Sequence, residues 1–407
     1  MLSSHSTLPT VLVRPGEADR LVAGHPWLYE GGVLRLTQPA NDGDVVQVKD
    51  HRQRFLGVGF YNSKSKLRVR VLSPERENLD AAFFERRIRE ALALRRKYLP
   101  GATSFRVVNA ESDQLSGLIV DQYGDVLVVQ TSSLGMDLRK PLIADVLQRV
   151  LEPRAIVERN DSSGRRFEGL PEIHGLLAGE LTGDVEVELN GLRFQVDLLG
   201  GHKTGLYLDQ QVNHARVAEL IRMTPDAQVL DCFSFVGGFA LSAAKAGAAR
   251  VHLLEQSEEA LVAARQHAET NGLAERCSFE AANVFDWLKA RTARAPHEQL
   301  IAPYDAIILD PPSFTRTRSA VGDALRGYKE IHLRALRLLK PGGLLATFCC
   351  SHHVDAVTFQ DVILSAAFDA RRVLRRVAVF QQSPDHPVLP AIPETEYLKG
   401  YAFEVIR

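Results

Sequence analysis

The chain has 407 residues, 45% of them hydrophobic and 24% charged, and a formal net charge of −1 at pH 7. That length suggests two or three domains, and that composition excludes a disordered or fibrous chain. With so little net charge, any binding of nucleic acid has to come from a local patch rather than from the field of the whole molecule. Four cysteines without the spacing of a disulfide framework or a zinc site point to a reducing compartment. Met1 to Thr10 has neither the basic segment nor the apolar core of a secretory leader, and no stretch approaches the ~20 apolar residues of a membrane span. The expectation is a cytoplasmic protein with no membrane and no metal.

To about Pro74 the chain reads as all-β, with short apolar runs separated by turn clusters. Asn41-Asp42-Gly43-Asp44 is a strong turn signal before Val45 to Val48. Lys64, Lys66, Arg68 and Arg70 recur at period two, which in a strand points four cations to one side and Leu67, Val69 and Val71 to the other. Such a face is either simply solvated or suited to a phosphate backbone; the use of one sign favours the second.

From Glu75 to Leu181 helical and strand patterns alternate in the manner of a small α+β domain. Phe83 to Leu99 has helical periodicity with many exposed arginines, and Met136 to Leu151 reads as a second amphipathic helix. Phe105 to Asn109, Gly117 to Asp121, Val126 to Gln130 and Ala155 to Glu158 read as strands. Asp113, Asp121 and Glu158 are expected to be turn or surface groups without chemistry.

Val185 to Leu199, with Asn190-Gly191 at its centre, is a hairpin. A glycine-rich stretch follows, Gly200 to Gln210, in which Lys203, Thr204 and Gly205 are candidates to reach a ligand carboxylate. It lacks the spacing of a P-loop. Asp209 is placed to cap the next helix.

From Val229 onward strands and helices alternate, which implies a mostly parallel sheet of seven strands with helices on both faces. The expected strands are Gln228 to Leu230, Arg250 to Leu254, Cys277 to Glu280, Ala306 to Leu309, Leu344 to Phe348, Arg376 to Phe380 and Ala402 to Ile406. Ligands of such sheets sit beyond the carboxyl ends of the strands, where Asp231, Glu255, Asn283, Asp310 and Cys350 all fall. After Asp231 come Phe233, Ser234, then Gly237-Gly238, a turn in which backbone approaches a ligand where a Cβ would collide. The pattern is not the Gly-x-Gly-x-x-Gly of a dinucleotide site, and Asp231 would repel phosphate. A carboxylate suits instead the ammonium and sulfonium charges of S-adenosylmethionine. Glu255 is placed for two ribose hydroxyls, Asn283 for the adenine edge, and Gln256 and Val284 belong to the same candidate set.

Asp310-Pro311-Pro312-Ser313-Phe314 follows an apolar strand, and its prolines stiffen the chain that carries Asp310. Asp-Pro-Pro also resembles the motif of amino-group methyltransferases, although there an aromatic residue usually follows the second proline and here Ser313 intervenes. Cys350 discriminates. A thiolate that adds to carbon 6 of a pyrimidine makes carbon 5 nucleophilic, and loss of the carbon-5 proton later expels it. Neighbours in a strand face opposite ways, so Cys350 at the strand's end is favoured as nucleophile and Cys349 as a packed residue. Asp310 would hydrogen-bond cytosine around N3, with its pKa raised by shielding. Thr315 to Asp323, with Arg316 and Arg318, reads as a mobile basic loop over the substrate backbone. His352 and His353 are either proton-handling or surface groups.

Gly24-His25-Pro26-Trp27, Lys203-Thr204-Gly205-x-x-Leu208-Asp209-Gln210, Asp231-x-Phe233-Ser234-x-x-Gly237-Gly238-Phe239, Leu309 to Phe314 and Cys350-Ser351-x-His353 occur in this order in one family. Over essentially its whole length the chain resembles the bacterial and archaeal large-subunit ribosomal RNA cytosine-carbon-5 methyltransferases with an N-terminal PUA domain. The resemblance implies a PUA RNA-binding β-barrel over residues 1–75, a central α+β domain over 76–184 and a Rossmann-like class I methyltransferase over 185–407, led by the hairpin at 185–199. It also implies a homodimer, with Cys350 matching the nucleophile and Asp310 its partner. His202, where a glutamine is usual, and Phe348-Cys349, where small residues are commoner, depart from the pattern. Two other readings stay open: N-methylation of an RNA purine, which needs Asp-Pro-Pro but no cysteine, and a non-catalytic RNA-binding assembly factor.

Overall fold

The structure is a computed structural model and describes residues 8–200, 206–293, 302–315 and 317–406. The chain forms two compact units. One takes Met1–Val187, Val196–Leu208 and Pro384–Thr395, the other Glu188–Gln195, Asp209–Ser383 and Glu396–Arg407.

In the first unit the short runs seen in the sequence become β1 (Thr10–Val13), α1 (Asp19–Val22), β2 (Trp27–Tyr29), β3 (Val33–Leu36), β4 (Val45–Lys49), β5 (Phe55–Tyr61) and β6 (Leu67–Ser73). They make one six-stranded sheet in the order β2-β6-β5-β4-β1-β3, antiparallel except where β1 meets β4. Then come α2 (Ala81–Tyr98), β7 (Ser104–Asn109), β8 (Leu118–Tyr123), β9 (Val126–Thr131), α3 (Leu134–Asp137), α4 (Lys140–Leu151), β10 (Ala155–Asn160) and β11 (Ile173–Gly179). These strands form a second sheet, β11-β10-β9-β8-β7, in which β9 and β10 are parallel. α2 begins where the Asp80 carboxylate accepts from the Ala82 and Phe83 amides. The single helix expected over Met136 to Leu151 is broken in two. Pro141 sits in the first turn of α4, where its missing N–H costs nothing.

The two sheets share a core: Val58, Phe60 and Leu72 of the first pack with Phe84, Val107, Leu127 and Ile156. Burial also corrects the reading of this region's acids. Asp121 and Glu158 are buried, and Asp113, Asp121 and Glu158 pair with Arg95, Arg106 and Lys140 at 2.5, 2.7 and 2.7 Å. Arg95, on the helix expected to show its arginines to solvent, is buried as well. A charge removed from water is retained only with a partner, so these groups hold the unit together.

The hairpin is β12 (Val185–Leu189) and β13 (Leu192–Val196), with Asn190 at φ 55° and Gly191 at φ 70° in its two-residue turn. The second unit continues with α5 (Gln211–Arg222), β14 (Gln228–Cys232), α6 (Gly238–Lys245), β15 (Arg250–Glu255), α7 (Glu258–Thr270), β16 (Cys277–Ala281) and α8 (Val284–Thr292). β17 (Tyr304–Leu309), α9 (Val321–Leu338), β18 (Leu339–Cys349), α10 (Ala356–Ala370), β19 (Leu374–Gln381) and β20 (Lys399–Val405) complete it. The seven strands are ordered β16-β15-β14-β17-β18-β20-β19, and β20 runs against both its neighbours. Successive residues serve opposite faces: Leu230, Ile307 and Leu345 enter a core with α8, α9 and α10, while Val229, Ile308 and Ala346 enter one with α5, α6 and α7. The order reverses at β14, with β15 on one side and β17 on the other, which opens a crevice at the carboxyl ends of these strands. No described helix is long and apolar enough to cross a membrane.

Candidate active site

Register brings the strand-end acids together. Cys232 pairs with Leu254 and with Leu309, so Glu255 and Asp310, one residue further on, flank the end of β14 where Asp231 lies. Asp231 is buried; one carboxylate oxygen accepts from the Ala240 amide at 3.0 Å and Oδ1 has no partner. Burial, then the charges of Asp310 and Glu255, hold its pKa well above the carboxylate range, against the pull of the Ala240 amide. Asp310 is pushed up to about 7 by burial and by Asp209, partly offset by the Gln210 amide, which donates to it at 3.1 Å. Glu255 accepts from the amides of Phe235, Gln256 and Ser257 at 3.0, 2.7 and 3.0 Å, and its oxygens keep lone pairs for hydroxyls.

The loop between β14 and α6 is strained. Phe233 and Phe235 have φ of 63° and 47°, uncommon for bulky residues, and Gly237 has φ 92°. At Gly238 a Cβ would stand 2.5 Å from the His214 ring, so a larger residue cannot enter without moving it. His214 itself packs edge-on against Phe239 and is pushed down to about 3 by burial, which keeps the imidazole neutral. Ser234 Oγ is buried without a partner. Asn283 caps α8 by accepting from the Phe285 and Asp286 amides, and its Nδ2 donates to Gln256. The Val284 side chain belongs to the core, so only its backbone remains for a ligand.

Cys349 is fully buried, whereas Cys350 is half-buried with Sγ 3.9 Å from the Pro311 carbonyl. The Asp-Pro-Pro loop is fastened to the same strand end: the Ser313 and Ser351 hydroxyls lie 3.0 Å apart, and Tyr328 reaches Ser351 at 3.1 Å. His352 and His353 are exposed, with the His352 ring 5.7 Å from that of Tyr397.

Lys203, Thr204, Gly205 and Arg316 lie outside the described residues. Arg318 is exposed, but the expected loop is shorter than Thr315 to Asp323, because α9 begins at Val321. In the first unit the cation row is divided. Lys64 and Lys66 are exposed and precede β6. Arg68 pairs with Glu30 at 2.7 Å, and Arg70 with Glu111 and Glu168 at 3.4 and 3.3 Å. Acids absent from the local sequence reach these two from elsewhere in the chain.

Sequence reasoning missed Gln210 and misread Asp209. Asp209 caps no helix; it accepts the Tyr397 hydroxyl at 2.7 Å, and Gln210, held by Asn213 at 2.6 Å, aims its amide at Asp310. Their adjacency to the Lys-Thr-Gly stretch was the available signal.

Residues 11–74 match a PUA-like domain, and residues 170–395 match an S-adenosylmethionine-dependent methyltransferase. The chain is 38% identical over 406 residues to the ribosomal RNA large subunit methyltransferase I of Klebsiella pneumoniae, covering 98% of this chain and 99% of the other. With the protein of the same name from Vibrio vulnificus it shares 38% over 397 residues, 96% and 98% of the two chains. The chain belongs to this methyltransferase family. A putative methyltransferase from Streptococcus mutans shares the fold, with a TM-score of 0.80 at 21% identity over 97% of this chain and 100% of the other. So does a putative methyltransferase complexed with SAH, with a TM-score of 0.80 at 22% identity and the same coverage.

The methyltransferase therefore joins an N-terminal PUA-like domain to a C-terminal class I domain that uses S-adenosylmethionine. The residues present fit that cofactor. Asp231 and Asp310 are neighbouring acids whose mutual repulsion a cationic ligand relieves, and the unpartnered Asp231 Oδ1 and Ser234 Oγ lack only a donor or acceptor. Among the described residues no cluster of three or more His, Cys, Asp or Glu could hold a metal ion.

Proposed function

We propose that the protein methylates carbon 5 of a cytosine in large-subunit ribosomal RNA, with Cys350 as covalent nucleophile and Asp310 as its partner. The observation that carries this reading is the half-buried Cys350 thiol against the Pro311 carbonyl, one strand over from Asp310, with Cys349 taken up by the core. The names of the relatives supply the RNA, and the PUA-like domain supports it.

S-adenosylmethionine, when bound, supplies a methyl group on a sulfonium centre. Asp231 and Glu255 would hold the donor, Asp231 by charge and Glu255 through the ribose hydroxyls. The Cys350 thiolate forms a bond from Sγ to carbon 6, which leaves carbon 5 nucleophilic. After methylation the carbon-5 proton departs and the Sγ–carbon 6 bond breaks, so the thiolate is regenerated. Asp310, titrating near neutrality, orients the ring by a hydrogen bond at N3. Exposed Lys64, Lys66 and Arg318 are assigned to RNA phosphates, together with Arg316, while Arg68 and Arg70 brace the surface by pairing with the carboxylates of Glu30, Glu111 and Glu168. The same reading divides the chain at residues 75 and 184 and places a homodimer in the cytoplasm.

Cys350→Ala, incubated with ribosomal RNA and labelled donor, should give no product while retaining donor binding. RNA carrying 5-fluorocytosine, which has no carbon-5 proton to lose, should trap a covalent complex with the wild type and none with the variant. Full turnover by Cys350→Ala, or a methylated purine nitrogen in the product nucleosides, removes this reading.

A further inference from the structure

The surroundings of Cys350 oppose its ionisation. Burial first, then the Asp310, Cys349 and Asp209 charges, push its thiol up to about 12. A thiol so held supplies almost no thiolate near neutral pH, and thiolate is the nucleophile. A cation is what such a site needs, and β20 brings one to Ser351, the residue that follows Cys350.

Lys399 opens β20 and pairs in register with Cys349. Its Nζ donates to the Ser351 carbonyl at 2.8 Å, which ties the ammonium to the residue just after Cys350. Burial lowers the pKa of Lys399, while Cys349 and Cys350, then Glu396 and Asp355, support its charge. The other faces bring little competition. Gln381, opposite Lys399 on β19, is neutral, and Asp209 is engaged by the Tyr397 hydroxyl. Asp355 is exposed and caps α10 by accepting from the Thr358 amide, and Glu396 is exposed. Tyr328, from α9, reaches Ser351 as a hydroxyl. The ammonium is thus fixed by a backbone carbonyl rather than consumed by an acid.

We propose that Lys399 is a positioning residue for the methyl transfer: its ammonium, anchored on the Ser351 carbonyl, stabilises the Cys350 thiolate and fixes the turn that presents it. This rests on the reading of Cys350 as nucleophile. In the step concerned the S–H bond breaks, the proton passes to solvent, and the electron pair stays on Sγ. The link is invisible in sequence order, since 48 residues separate Lys399 from Ser351 and only the antiparallel pairing of β18 with β20 joins them.

The test uses the full-length protein and three variants. Lys399→Met removes both charge and donor, Lys399→Gln removes the charge but leaves a donor for the Ser351 carbonyl, and Lys399→Arg keeps both. The rate of Cys350 alkylation by iodoacetamide, read on the Cys350 peptide by mass spectrometry between pH 7 and 10, reports thiolate directly. Lys399→Met and Lys399→Gln should both be alkylated about tenfold more slowly at each pH, with kcat reduced by about the same factor and KM for RNA within about twofold. Lys399→Arg should restore the alkylation rate. An unchanged alkylation profile in a folded, donor-binding Lys399→Gln or Lys399→Met overturns the proposal, as does a defect in Lys399→Met that Lys399→Gln repairs, since anchoring alone would then suffice. Full turnover by Cys350→Ala is a different failure, because it removes the nucleophile rather than its support.

Discussion

Asp113 and Asp121 in the first unit, and Asp231 and Asp310 in the second, are carboxylates withdrawn from water in one chain, yet the fold treats them in opposite ways. Asp113 and Asp121 each meet a guanidinium in the geometry of two near-parallel hydrogen bonds. Asp231 and Asp310 meet each other's charge, and with Glu255 they crowd the ends of three adjacent strands. A charge neutralised within the chain serves folding. A charge left opposed waits for something from outside, at a cost to the unliganded protein. The contrast separates acids neutralised within the chain from the acids assigned to the proposed site, without reference to any motif.

The largest effect should come from breaking a neutralised pair. Arg95 donates to Asp113, to the Arg106 carbonyl and to the Asp385 carbonyl. Arg95→Met fills much of the same volume but strands Asp113, so unfolding by urea should show a loss of ~3–5 kcal/mol. A loss below ~1 kcal/mol would mean that these pairs are dispensable and that the comparison carries no energetic content.

In the opposed group the prediction inverts. Asp231→Asn keeps an acceptor for the Ala240 amide but removes the charge, so calorimetric affinity for S-adenosylmethionine should fall by ~1.5–3 kcal/mol, roughly 10- to 150-fold. The unliganded protein should not lose stability, and unchanged donor affinity would separate Asp231 from the cofactor.

Asp310→Asn sharpens this through pH. Below about pH 4 both folded and unfolded chains carry the proton and the substitution should be neutral. As pH rises, the unfolded carboxyl ionises first, from its ordinary 3.8, while the folded one holds its proton to about 7. Wild-type stability therefore declines across that window and levels off above it. The variant escapes the decline, so by pH 8 it should be more stable by ~2 kcal/mol, a value already reduced for residual solvent screening. Denaturant midpoints at pH 4, 6 and 8 measure the divergence. Parallel curves would place Asp310 among the structural acids.

Why were only the opposed acids legible in the sequence? Asp231, Glu255 and Asp310 each follow a short apolar run, and a parallel sheet collects the ends of such runs at one edge, so period and alternation sufficed to group them. The neutralised acids gave no such signal. Arg95 and Asp113 are 18 residues apart and Arg106 and Asp121 15, across turns whose geometry local pattern does not fix. Asp113, Asp121 and Glu158 therefore read as surface groups. The same limit hid the partners of Arg68 and Arg70, which come from outside their strand. It hid Lys399 as well, because the β18–β20 pairing skips a strand. The left-handed Phe233 and Phe235 escaped notice for another reason: sequence advertises positive φ through glycine, and here two aromatic residues adopt it.

The smallest expected effect is the control that gives the others meaning. Arg89 and Glu85 lie one turn apart on α2, with Nη2 2.9 Å from Oε1, a distance close to that of the Arg106–Asp121 pair. By distance alone the two pairs look equivalent. Arg89, however, is 57% exposed and Glu85 33%, while the Asp121 side chain is 2% exposed. Water already solvates both exposed partners, so removing one leaves no stranded charge, and the side-chain freedom regained offsets the lost attraction. Arg89→Ala should change stability by only ~0.3–0.5 kcal/mol, and the change should vanish in molar salt. A loss comparable to that of Arg95→Met would show that burial is not what distinguishes the ion pairs of this chain, and the division between neutralised and opposed acids would then have to rest on the site's chemistry alone.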